Sequence, residues 1–236
     1  MPRTVRIVLG GVTQHFADFE LIIINDGSQD RTGAIAEQLA AANPHIRVFH
    51  HQENKGLGYS YREGIQLATK EYIGWIPGDC GGLTSEDDLA HLLEPVGRAD
   101  MVLIYLLSEN RSWQRQLISR TYTEILNLLF GLRLKYYNGA NIYKRELLKQ
   151  VTMTSKGYGL FAEILIQMVK SGHDYIEVGM HNEEQVRGNS KAFQLKNWIR
   201  VGRAVTTLFW RVQIVGLGQK SRRLGRAIAW DGSRAE

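Results

Sequence analysis

Between residues 21 and 107, apolar runs too short for helices alternate with longer stretches of helical period. That alternation constrains the fold more than any other feature, because it is the pattern of a doubly wound α/β sheet. LIII (21–24) runs without a polar break into Asn25-Asp26-Gly27-Ser28, and GAIAEQLAAAN (33–43) follows with Ile35 and Leu39 on one helical face. IRVFHH (46–51) reads as a strand and ENKGLGYSYREGIQLAT (53–69) as a glycine-rich entry into a helix. EYIGWIPGD (71–79) reads as a strand ending in an acid. Ser85 and the acids after it predict the cap and first turn of a helix through TSEDDLAHLLEPV (84–96), and ADMVLIYLL (99–107) predicts another strand. In an open α/β sheet ligands bind beyond the carboxyl ends of the strands. The polar ends at Asn25-Asp26 and Asp79 are therefore candidate site positions. The competing reading of the first is an ordinary strand-to-helix turn with Asp30 or Thr32 as N-cap.

The second half follows a different pattern. Residues 113–131 predict one long amphipathic helix carrying Leu117, Ile118, Tyr122, Ile125, Leu126 and Leu129 and closed by Gly131. Residues 138–150 and 158–171 read as helices, and DYIEVGM (174–180) as a strand. After a charged loop, 195–217 reads as a helix rich in aromatics, with Trp198, Phe209 and Trp210. The lone Cys80 excludes an internal disulfide and fits a reducing compartment such as the cytoplasm. No stretch reaches the roughly 18 consecutive apolar residues of a membrane span.

Charge is uneven. Eleven of the 29 Lys and Arg residues lie from Arg187 onward, against only Asp231 and Glu236. The rest of the chain is net acidic, so the basic end points to an anionic partner. Nucleic acid is not expected there, since cations interleaved with Trp and Phe on a helix equally describe attachment to an anionic membrane surface.

Four motifs in order carry a resemblance. They are Asn25-Asp26-Gly27-Ser28 with Asp30 and Thr32; Asn54-x-Gly56-x-Gly58 followed by Arg62-x-Gly64; LLFGLRLKYYNGANIYKRELL (128–148); and RGNSK (187–191). Together, from about residue 5 to 200, they resemble a family 2 glycosyltransferase of the GT-A fold, and within it the dolichol- or polyprenyl-phosphate sugar synthases. The resemblance implies a mixed, mostly parallel Rossmann-like sheet with helices on both faces over residues 1–194. Basic, amphipathic C-terminal helices would follow over 195–236.

The chain departs from the family in four places. Asn25 stands for the first Asp of the first motif, Pro77 for the first acid of an Asp-x-Asp pair, and Gln185 where an Arg often precedes the glycine of the basic loop. The family's opening strand has no counterpart, because VRIVLGGVTQHFADFEL (5–21) matches the family's first helix. The chain is expected to start one strand late and to leave a slot in the sheet. The rival assignment makes Val5–Leu9 that strand, with an 11-residue crossover at the lower limit for a parallel connection.

The resemblance implies transfer of a hexose from a nucleotide-diphosphate sugar to a polyprenyl (dolichyl or undecaprenyl) phosphate with inversion, assisted by Mg2+ or Mn2+. Asp79 would be the metal carboxylate, with His181 as a second ligand. Asn25, Asp26, Ser28, Asn54, Gly56, Gly58 and Arg62 would bind the nucleotide, with Asp26 and Asp79 converging at one sheet edge. Arg111, Arg115, Arg187, Ser190 and Lys191 would hold the acceptor phosphate. Glu163 is the one candidate general base, needed if the acceptor is a sugar hydroxyl. The enzyme is expected at the cytoplasmic face of the membrane as a peripheral protein. A homo-oligomer or a membrane-anchored partner protein is compatible with that placement. The alternative function is a catalytically impaired or truncated relative that binds nucleotide or lipid phosphate without turnover.

Overall fold

The computed structural model describes residues 1–79, 85–109, 112–182, 205–210, 212 and 223–231. Helix α1 (Pro2–Thr13) opens the chain, so Val5–Leu9 is helical and the strand assignment for it does not hold. Strand β1 (Leu21–Asn25), helix α2 (Thr32–Ala42), strand β2 (Ile46–His50), helix α3 (Leu57–Leu67) and strand β3 (Tyr72–Gly74) follow in the expected alternation. Helix α4 (Glu86–Leu93) starts at a capping box, in which Ser85 accepts from the Asp88 amide and the Asp88 carboxylate accepts from the Ser85 amide. Strand β4 (Met101–Glu109) leads to helix α5 (Trp113–Phe130), which ends at Gly131 with φ 66°, the left-handed cap its sequence predicts.

One assignment is overturned. Residues 138–150 do not form a helix: Ile142–Lys144 is strand β5, and only Arg145–Leu148 turns into a short helix, α6. The cause is tertiary. β5 fills the space between β3 and β4 and runs antiparallel to both, and Asn141 accepts from the buried Ile104 amide at 2.9 Å. Helix α7 (Gly159–Lys170) and strand β6 (Tyr175–Asn182) complete the order.

The four-stranded sheet, in order β3-β5-β4-β6, is sandwiched. Alternation along β4 sends Val102 and Ile104 to the side of Ile7, Val8, Leu89 and Leu92 from α1 and α4. Met101 and Leu103 face Leu126 and Phe130 of α5 and the buried run of α7. Residues 224–228 lie beside the start of β6, with the Tyr175 amide donating to the Arg226 carbonyl at 3.0 Å and Arg223 paired to Asp174 at 2.7 Å. Two of the basic residues near the C-terminus thus lie along the body of the fold. Most of 195–217 lies outside the described residues. Within it, Leu208 and Val212 are buried, Phe209 packs 6.0 Å from Phe130, and Trp210 is 61% exposed.

Strands β1 and β2 form a separate parallel pair, Leu21 opposite Ile46 through Asn25 opposite His50. Among the described residues, β1 and β3 each carry a partner on one edge only. Their starting ends are tied together, since Glu20 accepts from the Thr69 amide at 2.6 Å and from the Thr69 hydroxyl at 2.8 Å. Leu21–Ile24, a run suited to burial on both faces, is only half-buried. Open edges with half-covered isoleucines are a strand-acceptor arrangement. A chain extended at its N-terminus to supply a parallel strand to these edges is expected to unfold at a higher temperature than this one. Equal thermal midpoints for the two would show that the edges need no strand.

Candidate functional site

Consecutive residues on a strand point to opposite faces, and at the ends of β1 and β2 this places two histidine networks side by side. On one face Asn25 donates from Nδ2 to His50 Nδ1 at 2.9 Å, and His50 Nε2 donates to Glu37 of α2 at 2.8 Å. A singly protonated ring satisfies that chain, because one nitrogen accepts and the other donates. The asparagine suits this arrangement: an ionised aspartate in its place would have no proton to offer His50. Asn25 is buried, and its Oδ1 also accepts from the Ser28 amide at 3.3 Å, so it shapes the β1–α2 turn.

On the other face His51 Nδ1 lies 2.7 Å from Asp26 Oδ1 and His51 Nε2 lies 2.6 Å from Glu63 Oε2 of α3. Both partners are carboxylates, so both ring nitrogens donate and the ring is an imidazolium. The hydrogen bond to Asp26 raises the ring's pKa above the ordinary histidine value; burial opposes that, and Glu63 adds to it. Tyr59 stands edge-on to the ring at 5.3 Å. Asp26 also accepts from the Lys55 amide and the Gly56 amide, each at 2.8 Å. Burial works against its ionisation, but the bonds from His51, Lys55 and Gly56 outweigh it and hold the carboxyl below the usual range.

The nucleotide-site candidates therefore divide. Asp26, Asn54, Gly56 and Gly58 are brought together, with Asn54 Nδ2 donating to the Asp26 carbonyl at 3.2 Å. The glycines serve close approach of backbone to backbone. Gly27, at φ 69°, would place a Cβ 2.5 Å from the Glu53 carbonyl carbon, and one on Gly58 would fall 2.3 Å from the Ser155 carbonyl oxygen. Arg62 reaches the same Ser155 carbonyl at 3.5 Å.

Asp79 is exposed in the loop after β3, a loop anchored by Thr4 Oγ1 donating to the Gly78 carbonyl at 2.7 Å. His181 is exposed near the end of β6, in register with Ser108 of β4. Among the described residues no group of three or more His, Cys, Asp or Glu side chains gathers into a ready-made cation cage. A single exposed carboxylate still fits Mg2+ or Mn2+ delivered with a diphosphate, since Mg2+ is commonly held by one or two carboxylates plus substrate phosphates.

Glu163 is 3% exposed and accepts from the Thr154 amide (2.9 Å), the Thr154 hydroxyl (2.5 Å) and the Ser155 amide (3.0 Å). It holds the loop that packs on Gly58, whose amide donates to the Lys156 carbonyl at 3.0 Å. Arg115 is half-buried on α5, while Arg111, Arg187, Ser190 and Lys191 lie outside the described residues. Sequence reasoning missed His51 and Glu63. The available signal was the pair His50-His51 at a strand end opposite Asn25-Asp26, with an acid on the next helix.

The model of the family "Glycosyl transferase family 2" matches residues 2–152. The polyprenol monophosphomannose synthase of Mycolicibacterium smegmatis is 27% identical over 78% of this chain and 74% of its own length. The undecaprenyl-phosphate mannosyltransferase of Micrococcus luteus is 26% identical over 97% of this chain and 91% of its own. Among solved structures, the glucosyl-3-phosphoglycerate synthase of Mycobacterium tuberculosis, crystallised with Mg2+ and UDP, superposes with a TM-score of 0.65. It is 17% identical, covering 87% of this chain and 74% of that one, and likeness at that level speaks for the fold alone. The mixed α/β architecture is that of the GT-A glycosyltransferases. The motif order, the sheet and the family match agree: this chain belongs to glycosyl transferase family 2, and it is a glycosyltransferase.

Proposed function

We propose that the protein transfers a hexose from a nucleotide-diphosphate sugar to a polyprenyl phosphate, with inversion at the anomeric carbon. The observation that carries this reading is the pair of relatives named for polyprenol and undecaprenyl phosphate acceptors, matched over 78% and 97% of this chain. In the proposed assignment the Asp26 turn and the Asn54–Gly58 loop bind the nucleotide, with Asn25 and Ser28 shaping the turn and Arg62 at its border. Asp79, with His181 as second ligand, would hold the divalent cation. When bound, the cation supplies positive charge against the negative charge that develops on the diphosphate leaving group.

A phosphate acceptor is already anionic near neutral pH and attacks without a general base. The state of Glu163 supports that acceptor over a hydroxyl, since its carboxylate is occupied by Thr154 and Ser155 in a buried position. Arg115, with Arg111, Arg187, Ser190 and Lys191, would meet the acceptor phosphate. Among the described residues no helix is long and apolar enough to cross a membrane. Peripheral attachment to the inner membrane face is proposed instead. It is supported by the basic C-terminal region and by exposed Trp113, Leu117, Leu128 and Trp210.

The test offers a panel of nucleotide sugars with Mg2+ or Mn2+ to a short-chain prenyl phosphate and, in parallel, to the matching prenol. Sugar on the phosphate and none on the prenol is the expected result. Transfer to the prenol alone would overturn the acceptor assignment, and nucleotide binding without any product would favour the non-catalytic reading.

A further inference from the structure

The Asp26–His51–Glu63 cluster lies where the nucleotide is proposed to bind, yet none of the roles assigned so far uses His51. Its ring is 4% exposed and bridges two side chains that ordinarily repel. Asp26, its first partner, is the residue that gathers the Lys55 and Gly56 amides, so the order of residues 53–56 depends on where that carboxylate is held. Once the ring loses a proton it has one N–H for two carboxylates, so Asp26 and Glu63 face each other as like charges in a half-buried position and the bridge that holds Asp26 is loosened.

We propose that His51 is a positioning residue for the donor loop: doubly protonated, it clamps Asp26 to Glu63 and sets residues 53–56 for the nucleotide, and donor affinity falls when the ring loses a proton. The part concerning affinity rests on the proposed nucleotide site; the part concerning loop order does not. The groups facing the ring are Asp26 from the end of β1, and Glu63 and the edge-on Tyr59 from α3. Lys55 sits outside them, its Nζ 4.5 Å from the Tyr59 ring centre. The sign follows from the raised pKa. The clamp is complete below the ordinary histidine value of about 6.5 and is lost as pH rises through the higher value of the folded protein.

Two variants of the full chain separate the readings. In His51→Gln both N–H donors sit on one uncharged nitrogen, which does not replace a charged ring donating from two separate atoms, so hydrogen-exchange protection of the Lys55 and Gly56 amides, corrected for intrinsic rates, is expected to fall about tenfold. In Glu63→Gln the amide can donate to a neutral His51 whose other nitrogen still donates to Asp26. Loop protection is then expected to persist and to become insensitive to pH between about 6 and 9. Binding of UDP and of GDP with Mn2+, titrated over the same range, is expected to weaken as pH rises in the wild type. That slope should vanish in Glu63→Gln, and affinity should be about tenfold lower in His51→Gln. Unchanged Lys55 and Gly56 protection in His51→Gln, at an unchanged unfolding midpoint, would overturn the proposal. So would a Glu63→Gln protein that keeps the wild-type pH slope. If protection responds as stated but neither nucleotide binds the wild type, the clamp stands and the nucleotide-site reading fails.

Discussion

Asp79→Asn is expected to lower the transfer rate about a thousandfold, the scale of removing a group that stabilises charge developing in the transition state. Stability should change by no more than about 0.5 kcal/mol, as for an exposed substitution. The expectation rests on position. Asp79 is exposed in the loop after β3, and that loop is pinned to α1 through Thr4. In the proposed assignment Asp79 is the carboxylate that holds the cation, so its loss is expected to cost most of the rate. Initial rates at saturating Mn2+, set beside thermal unfolding, separate the two effects. A variant within tenfold of the parent rate would remove Asp79 from the metal assignment.

Glu163 reverses that pattern. Glu163→Ala removes the buried acceptor to which the Thr154 amide, the Thr154 hydroxyl and the Ser155 amide donate. At about 1 kcal/mol net for each hydrogen bond lost, a loss on the order of 3 kcal/mol is expected in chemical denaturation. Glu163→Gln keeps acceptor oxygen on one side and should fall between. If Glu163 were instead the base for a hydroxyl acceptor, Glu163→Gln would lose kcat by orders of magnitude with an unchanged denaturation midpoint. The pairing of stability loss with near-normal kcat in the folded fraction is the outcome expected for a loop anchor.

Elements whose pattern is local were legible in the sequence. The Ser85 capping box, the Gly131 stop of α5 and the apolar runs of β1 and β4 follow from short-range chemistry, and each was read directly. β5 was not. Three residues, Ile142–Lys144, contain no period that distinguishes a strand from a helix, and their conformation is fixed by two neighbours distant in sequence. The site shows the same division. Asp26 and the Asn54–Gly58 loop were visible as a motif, but the use of the glycines was not. Gly27 and Gly58 are small because other backbone passes against them, a fact of tertiary packing. Asn25 departs from the motif of the resemblance, and its side chain is bonded to His50, 25 residues away, a partner no local pattern shows.

The central claim is that one nucleotide-and-metal site lies beyond the carboxyl ends of β1 and β3. It is tested most directly by paramagnetic broadening of backbone amide signals when Mn2+ is added together with a nucleotide diphosphate. The prediction is strong broadening of residues 26–28, 54–58 and 78–79, dependent on nucleotide and lost in Asp79→Asn. Broadening centred elsewhere, with the signals of Asp26, Gly56 and Asp79 unaffected, would contradict it.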